Sequence, residues 1–468
     1  MILKELYHLA NPQIIPPLQQ DFAPAVLCNQ EFRKLAQTTK NAVPLIIALE
    51  RGNSSVSVYK TICFDEKSEY AYLNLEYAER IIKFLLWQKG GWKISISGPK
   101  SVYDFISKVY SPNGFRAFDA DFMGGVYGKS FTVAYVAEAD IPQQMESSTP
   151  LGGHLDGCRI GFDLGASDRK VSAVIDGEAV YTEEVNWNPK DATDPAYHYS
   201  EINAALKAAA SHMPKVDAIG GSSAGVYIDN RPRVASLFRG IPKELFEEKI
   251  GDLFLNLQKD WGGIPFDVVN DGEVTALAGA MSLQDNSVLG IALGSSEAGG
   301  YVNPSGEITT WLNELAFCPV DYHPNAPVDE WSGDKGCGAL YFSQQAVFRL
   351  AKVSGIEIDE SLDLAEKLKS VQKLLEANDQ RAINIWESIG VFAGYGIANY
   401  ADFYEIKHVL ILGRVTSGKG GNIILEKAKQ VLELEFKELT NKIIIHLPDE
   451  KLRRIGQAVA AASLPVIA

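Results

Sequence analysis

The stretch "ILGRVTSGKGGN", residues 411–422, decides between two folds. Gly413, four residues, then Gly418 and Lys419 fit the P-loop pattern, in which the next residue is a Ser or Thr whose hydroxyl holds Mg²⁺. Here that residue is Gly420, which has no side chain. Upstream, "HVLILG" reads as a buried strand; downstream, "NIILEKAKQVL" reads as an amphipathic helix. The glycines between them let backbone approach a ligand closely. The loop is either a P-loop without its metal ligand or a glycine-rich nucleotide loop of another fold, and the rest of the chain decides which.

The chain has 468 residues, enough for two or three domains, with 46% hydrophobic and 22% charged residues. No run approaches the ~18 apolar residues of a membrane span. The start, "MILKELYHLANPQ", carries acid and has no continuous apolar stretch, so no signal peptide is read and the expected location is the cytoplasm. Five cysteines are widely spread without a CxxC pair, which fits thiols in a reducing compartment better than a disulfide framework. A net charge of −15 argues against nucleic acid or an anionic membrane as the main partner. The first 150 residues carry about as many basic as acidic side chains, so the excess acid follows them.

That shift coincides with a polar linker rich in Pro, Ser and Gly, "ADIPQQMESSTPLGGHLDG" (139–157). Residues 1–140 alternate strand-like and helix-like segments: "VPLIIAL" and "VSVYKTICF", the amphipathic "LEYAERIIKFLLWQ", then "WKISISG", "SVYDFISKVY" and "SFTVAYVAEA". They predict an N-terminal α/β domain without a catalytic motif, with too many strands and too few basic residues for a DNA-binding helix-turn-helix. After the linker, residues 158–187 read strand, turn, strand, turn, strand. The helix "SEINAALKAAASHM", the strand and Gly-rich loop "VDAIGGSSAGV" with Gly225, a long helix "KELFEEKIGDLFLNLQKDW", the strand "FDVVNDG" and the helix "EVTALAGAMSL" follow. A second three-strand stretch begins at 287–309. Duplication of a β-β-β-α-β-α unit is the plan of the two-lobed actin-like (ribonuclease H-like) ATPase and sugar kinase fold. It predicts lobe 1 at 155–270, with 450–468 returning to it, and lobe 2 at 271–449.

Three further stretches carry chemistry. In "IGFDLGAS" (160–167) an acid ends a strand and a small-residue turn can cradle phosphate with backbone N–H groups, while Asp163 can hold Mg²⁺ through water. Alone it is also an ordinary β-turn. In "VVNDGEVTALAG" (268–279) a strand ends in Asn270-Asp271 and a helix starts. The helix N-terminus favours an ionised Asp271, which beside a hydroxyl can take its proton, and Asn270 offers a donor and an acceptor. A plain N-cap would look the same. In "LGSSEAGGYVNPSGEI" (292–307) a second glycine-rich hairpin, with Gly294 and Ser295, suits the other end of a nucleotide's phosphates.

In order and spacing these stretches resemble the ROK family of sugar kinases and sugar-responsive repressors over roughly 155–468. The family's D-x-G-G-T is matched by Asp163-Leu164-Gly165-Ala166-Ser167, its catalytic N-D by Asn270-Asp271, and its G-T-G-x-G hairpin loosely by Gly294-Ser295-Ser296-Glu297-Ala298. Its adenosine loop is matched from Gly413 and its closing helix by "IGQAVAAASLP" (455–465). The opening stretch is then an adenosine-side loop in which Gly420 is no defect. The resemblance implies ATP- and Mg²⁺-dependent phosphorylation of a hydroxyl of a sugar or sugar-like substrate. Asp271 would be the base. Asn270, Asp271, Glu314 and Gly225 would bind substrate. Asp163, Gly165, Ser167, Gly294, Ser295 and Gly413 would bind ATP and its phosphates, with Asp163 organising Mg²⁺ through water. The resemblance also implies a homodimer.

The sequence departs from the family at the sugar and zinc motifs. The family's G-E-x-G-H reads "NELAF", which keeps Glu314 but has Phe317 where the His stands. Its C-x-C-G-x-x-G-C-L-E reads "EWSGDKGCGA" (330–339), with Glu330, Ser332 and Cys337 at the cysteine positions and Ala339 in place of the second sugar Glu. One thiol makes no zinc site, and Cys318, His323 and Cys337 match no standard zinc spacing, so no zinc is expected. Ala166 and Ser296 replace glycines in the two hairpins, and an inward Glu297 would repel phosphate. The expectation is a sugar kinase with an altered sugar site; the alternative is a non-catalytic sugar or nucleotide sensor on the same fold.

Overall fold

The structure is a computed structural model that describes residues 5–39, 42–52, 54–146, 148–149, 152–165, 168–448 and 450–467, with backbone alone at 148–149 and 450–455. The chain forms two compact units. One comprises 1–147, 291–299 and 311–447; the other comprises 148–290, 300–310 and 448–468.

In the first unit the N-terminal region builds a four-stranded sheet in the order 56–64, 42–50, 93–97, 132–135. Ala42–Glu50 is antiparallel to both of its neighbours, and Lys93–Ser97 runs parallel to Thr132–Tyr135. Helix Leu73–Lys89 ends at Gly90 (φ 82°). Its spacing predicts an amphipathic helix, yet the polar face is also buried: Glu79, Arg80 and Lys83 are 1%, 8% and 0% exposed. The reason is charge pairing, described below.

The same unit holds the long helix Gln380–Ala401, started by Asp379, whose carboxylate accepts from the Arg381 N–H. Helix Lys419–Glu435 lies against it. The contact is close because Gly390 and Gly394 lack Cβ atoms, which would fall 2.6 Å from Lys427 Cβ and 2.5 Å from Val431 Cβ. Strand His408–Leu412 precedes that second helix and pairs in parallel with Ile444–His446.

The second unit is built on a five-stranded sheet in the order 266–270, 218–223, 158–164, 168–175, 178–186. Strands 158–164, 218–223 and 266–270 are parallel, and the other two are antiparallel hairpin partners. Asp176 (φ 45°) and Gly177 (φ 85°) make the two-residue turn between the outer strands, as a D-G pair does in a type I′ hairpin. Every residue of Cys158–Leu164 is buried, because both faces of the sheet are covered. On one face Ile160, Phe162, Ile202, Leu206, Phe254 and Phe266 belong to one apolar core. On the other lies the closing segment Glu450–Ala462, broken at Gly456. It sits so near that a Cβ at Gly161 would overlap the Ala458 carbonyl oxygen, and one at Gly220 the Ala461 carbonyl oxygen. The segment 243–261, which reads as one helix, is divided into Lys243–Leu245, a π-turn at Phe246–Ile250 and Leu253–Asp260. The break falls at Gly251-Asp252, two poor helix formers, and the Asp252 carboxylate is drawn out to Arg231 at 2.8 Å.

Candidate active site

Three parallel strands end together in the second unit. Register pairs Asp163 with Ser222, Ser222 with Val269, and Ser223 with Asn270. In α/β sheets this carboxyl edge is where ligands bind, because loops leave it in several directions and helix N-termini face it. Asp163, 6% exposed, accepts a hydrogen bond from the Ser222 hydroxyl at 2.7 Å. Asn270 caps helix Asp271–Leu283: its Oδ1 accepts from the Gly272 N–H at 2.7 Å. Its Nδ2 donates to the Gly225 carbonyl at 2.7 Å. Gly225 holds φ 129° and packs against Val234 and Ala235, leaving no room for a Cβ. Asp163, Gly225, Asn270 and Asp271 are thus brought to one edge, and Gly165 follows Asp163 with its carbonyl held by the Trp187 indole N–H at 2.8 Å. Ala166 and Ser167 lie outside the described residues.

The electrostatics single out this edge. Burial pushes the Asp163 carboxyl up to about 6, the Ser222 hydrogen bond lowers it, and the Asp271 charge adds to the rise. Burial also raises Asp271, outweighing the bonds from its own and the Gly272 N–H, so the helix N-terminus does not by itself keep this acid low. Burial raises the Tyr227 phenol, its 2.6 Å hydrogen bond with the Ser223 hydroxyl lowers it, and the Asp271 charge adds to the rise. Asp163, a desolvated carboxylate whose ionisation the Asp271 charge opposes further, is an oxygen donor suited to a hard divalent cation, whose charge would favour its ionised form. Magnesium therefore fits the residues present. Ser222 and Tyr227 were not singled out from sequence; the small polar run "GGSS" at a strand end was the available signal.

The remaining candidates lie in the first unit. Gly413 (φ 100°) follows strand His408–Leu412, and a Cβ there would lie 2.5 Å from the Leu293 carbonyl oxygen, so it adjoins the residue before Gly294. Gly294 and Ser295 form the hairpin between Val288–Leu293 and Glu297–Val302. Helix Gln344–Val353 starts on that hairpin. The Gln344 N–H donates to the Gly294 carbonyl at 2.8 Å, the Gln345 side chain donates to the Ser295 carbonyl at 3.3 Å, and Ser343 is the N-cap.

Three residues beside these loops are held by contacts within the unit. Lys419 is not free to meet phosphate: its ammonium donates to the Glu376 carbonyl at 3.0 Å and to Asn378 Oδ1 at 2.9 Å. Gly420 is required by packing, since a Cβ would sit 2.2 Å from the Trp386 indole nitrogen. Glu297 points into the core, where its Oε1 accepts from the Tyr400 hydroxyl at 2.9 Å. Burial pushes its carboxyl up to about 8, which favours the neutral form facing the core.

Glu314 stands on a segment held by the N-terminal region. Helix Leu73–Lys89 ends with carbonyls that no helical N–H can reach. Trp87 O accepts from the Glu314 N–H at 3.0 Å and Gln88 O from the Asn313 N–H at 2.9 Å. Phe317 stacks on Trp87 with ring centroids 4.2 Å apart. Asp334 receives Arg116 at 2.8 Å and both Arg80 and Lys83 at 3.2 Å, while Arg80 also pairs with Glu79 and Lys83 with Asp119. Three cations meet three carboxylates, all nearly inaccessible. The Cys337 thiol lies 3.8 Å from Asp334 and the Cys318 thiol 3.7 Å from the Phe84 carbonyl. Among the described residues no group of three or more His, Cys, Asp or Glu side chains is placed to hold a metal ion. Ala339 is 3% exposed, so that position offers substrate no polar group.

No family model matches the chain. A glucokinase from Halalkalibacterium halodurans is 28% identical over 185 residues, covering 36% of this chain and 54% of that enzyme. The chain thus matches about half of its curated relative's length. A ROK family transcriptional regulator, a homologue of the E. coli MLC protein, superposes with TM-score 0.51 at 16% identity, over 66% of this chain and 79% of its own. A Listeria monocytogenes protein provisionally assigned as an N-acetylmannosamine kinase superposes with TM-score 0.50 at 16% identity, over 65% and 97%. A ROK family glucokinase from Streptomyces griseus, solved with glucose and AMPPNP, gives 0.48 at 21% identity, over 65% and 98%. The resemblance to the ROK family holds at the level of the fold: the chain has the actin-like α/β architecture of ROK sugar kinases and regulators.

Proposed function

We propose that the protein is an ATP- and Mg²⁺-dependent kinase for a hydroxyl of a sugar or sugar-like compound, with a sugar site altered from the family pattern. The observation that carries this reading is the carboxylate pair, buried Asp163 and half-buried Asp271, at the joint ends of three parallel strands. Asp271 accepts the proton of the attacking hydroxyl. Asn270, fixed between the Gly272 N–H and the Gly225 carbonyl, holds the geometry of that edge and, with Gly225 and Glu314, orients the substrate. Asp163, kept in place by Ser222, would hold Mg²⁺. Gly165, Ser167, Gly294, Ser295 and Gly413 present backbone and hydroxyl groups to the nucleotide. When bound, Mg²⁺–ATP supplies the phosphoryl group and neutralises its developing charge; transfer of this kind depends mostly on positioning and electrostatics. All five cysteines are free and buried, which fits the proposed cytoplasmic location.

A second reading, a sugar or nucleotide sensor without catalysis, is favoured by the buried Ala339 where the family has its second sugar Glu. One experiment separates the two. Purified protein with Mg²⁺–ATP is offered a panel of neutral, amino and acidic sugars, and ADP and sugar phosphate are measured. The kinase reading expects product from at least one sugar, with glucose a poor substrate. Sugars that raise the melting temperature while none yields product would establish the sensor.

A further inference from the structure

Beside the N-terminal sheet lies a cavity of about 150 Å³ that the residues proposed for catalysis do not use. Ile47, Leu49, Val58, Leu85 and Phe403 form its apolar walls. Some of its polar lining groups are engaged with one another or with neighbours. Asp402 is paired with Arg33 at 2.6 Å, and Ser57 donates to Glu146 at 2.6 Å. The nearby Arg51 is paired with the same Glu146 at 2.6 Å.

Two lining groups are left over, and they are complementary. Gln88 is 0% exposed, and its Nε2 donates to the Phe403 carbonyl at 2.9 Å, which fixes the amide orientation. Its Oε1 therefore faces no donor, a standing cost for a buried acceptor. Lys89 has no carboxylate within ion-pair range among the described residues; its ammonium rests on the Trp311 ring, 3.0 Å from the centroid. Burial lowers that ammonium to about 7 against the pull of the Glu146 charge, and because Glu146 is taken up by Arg51, Ser57 and Trp311, Lys89 is the cation left without a direct ion pair here.

We infer that this cavity binds a small hydroxycarboxylate: the carboxylate pairs with Lys89, the hydroxyl donates to Gln88 Oε1, and the alkyl end lies among Ile47, Leu49 and Val58. A simple carboxylate has no proton for Gln88, and a neutral alcohol or amide has no charge for Lys89, so both functions are needed. A cavity of this size takes a molecule no larger than about benzene, which limits the ligand to roughly three to five carbons. The site adjoins the segment that carries Glu314, because the Gln88 carbonyl accepts from the Asn313 N–H.

Titration calorimetry on the full chain with lactate, 2-hydroxybutanoate, propanoate and lactamide tests this. The hydroxy acids are expected to bind at least about tenfold more tightly than propanoate or lactamide. Trp fluorescence should change on binding, and the change should vanish in Trp311→Phe. Lys89→Met should weaken the hydroxy acids at least about tenfold without lowering the unliganded melting temperature. Gln88→Met, which keeps side-chain volume, should reduce lactate to the affinity of propanoate. Equal affinity for all four probes, hydroxy-acid binding that survives both substitutions, or a cavity that takes up water alone would overturn the inference. None of these outcomes depends on phosphoryl transfer.

Discussion

The carboxyl edge of the second unit and the Asp334 loop of the first respond to change in opposite ways. At the edge, desolvation raises both carboxyls and the Asp271 charge raises Asp163 further, an arrangement that costs stability. In the loop, three carboxylates are buried against three cations, and each charge has a partner. The loop lies where the family pattern calls for a zinc site, and a neutral ion cluster with the Trp87–Phe317 stack holds it instead. Balanced charge braces the loop; under the proposed function, the unbalanced charge of the edge is what a bound cation would relieve.

That contrast can be broken in order of expected effect. Asp334→Ala leaves Arg80, Lys83 and Arg116 facing only Glu79 and Asp119, and breaking a buried pair from one side costs ~3–5 kcal/mol. Chemical denaturation should show that loss; a change below ~1 kcal/mol would mean that the cluster is solvated in solution. Asp163→Asn should do the reverse. Its carboxyl is raised from 3.8 to about 6, so as pH rises through that window the unfolded chain releases its proton first and stability falls, remaining lowered above it. Removing the charge should therefore stabilise the protein by about 3 kcal/mol at neutral pH without Mg²⁺, while abolishing Mg²⁺-dependent turnover. A destabilised variant would refute the reading of the edge. The smallest effect is expected at Lys419→Ala. Its ammonium serves the end of helix Leu364–Glu376, so stability should change by less than ~0.5 kcal/mol and turnover less than about threefold. A collapse of activity would restore the P-loop reading.

What was legible in sequence was local. Asp163, Asn270-Asp271 and the two hairpins announce themselves because strand end, turn and helix start are adjacent in the chain. Ser222 was not read, since its bond to Asp163 spans 59 residues and only parallel register brings them together. Glu79, Arg80 and Lys83 look like the solvated face of a helix; what buries them is Asp334, 254 residues beyond Arg80. Periodicity reports which residues are apolar, not whether a distant opposite charge will cover the polar ones. The same limit hid the direction of Glu297, which starts a strand while its partner Tyr400 stands on helix Gln380–Ala401.

The most direct measurement sets wild type beside Asp271→Asn with whichever sugar proves to be a substrate, following sugar binding by calorimetry and product by ³¹P NMR. Loss of the base should lower phosphoryl transfer by about 10²–10⁴-fold while sugar affinity stays within about tenfold, because Asn keeps the shape and hydrogen bonding of the edge. Turnover in Asp271→Asn close to that of wild type would contradict the account.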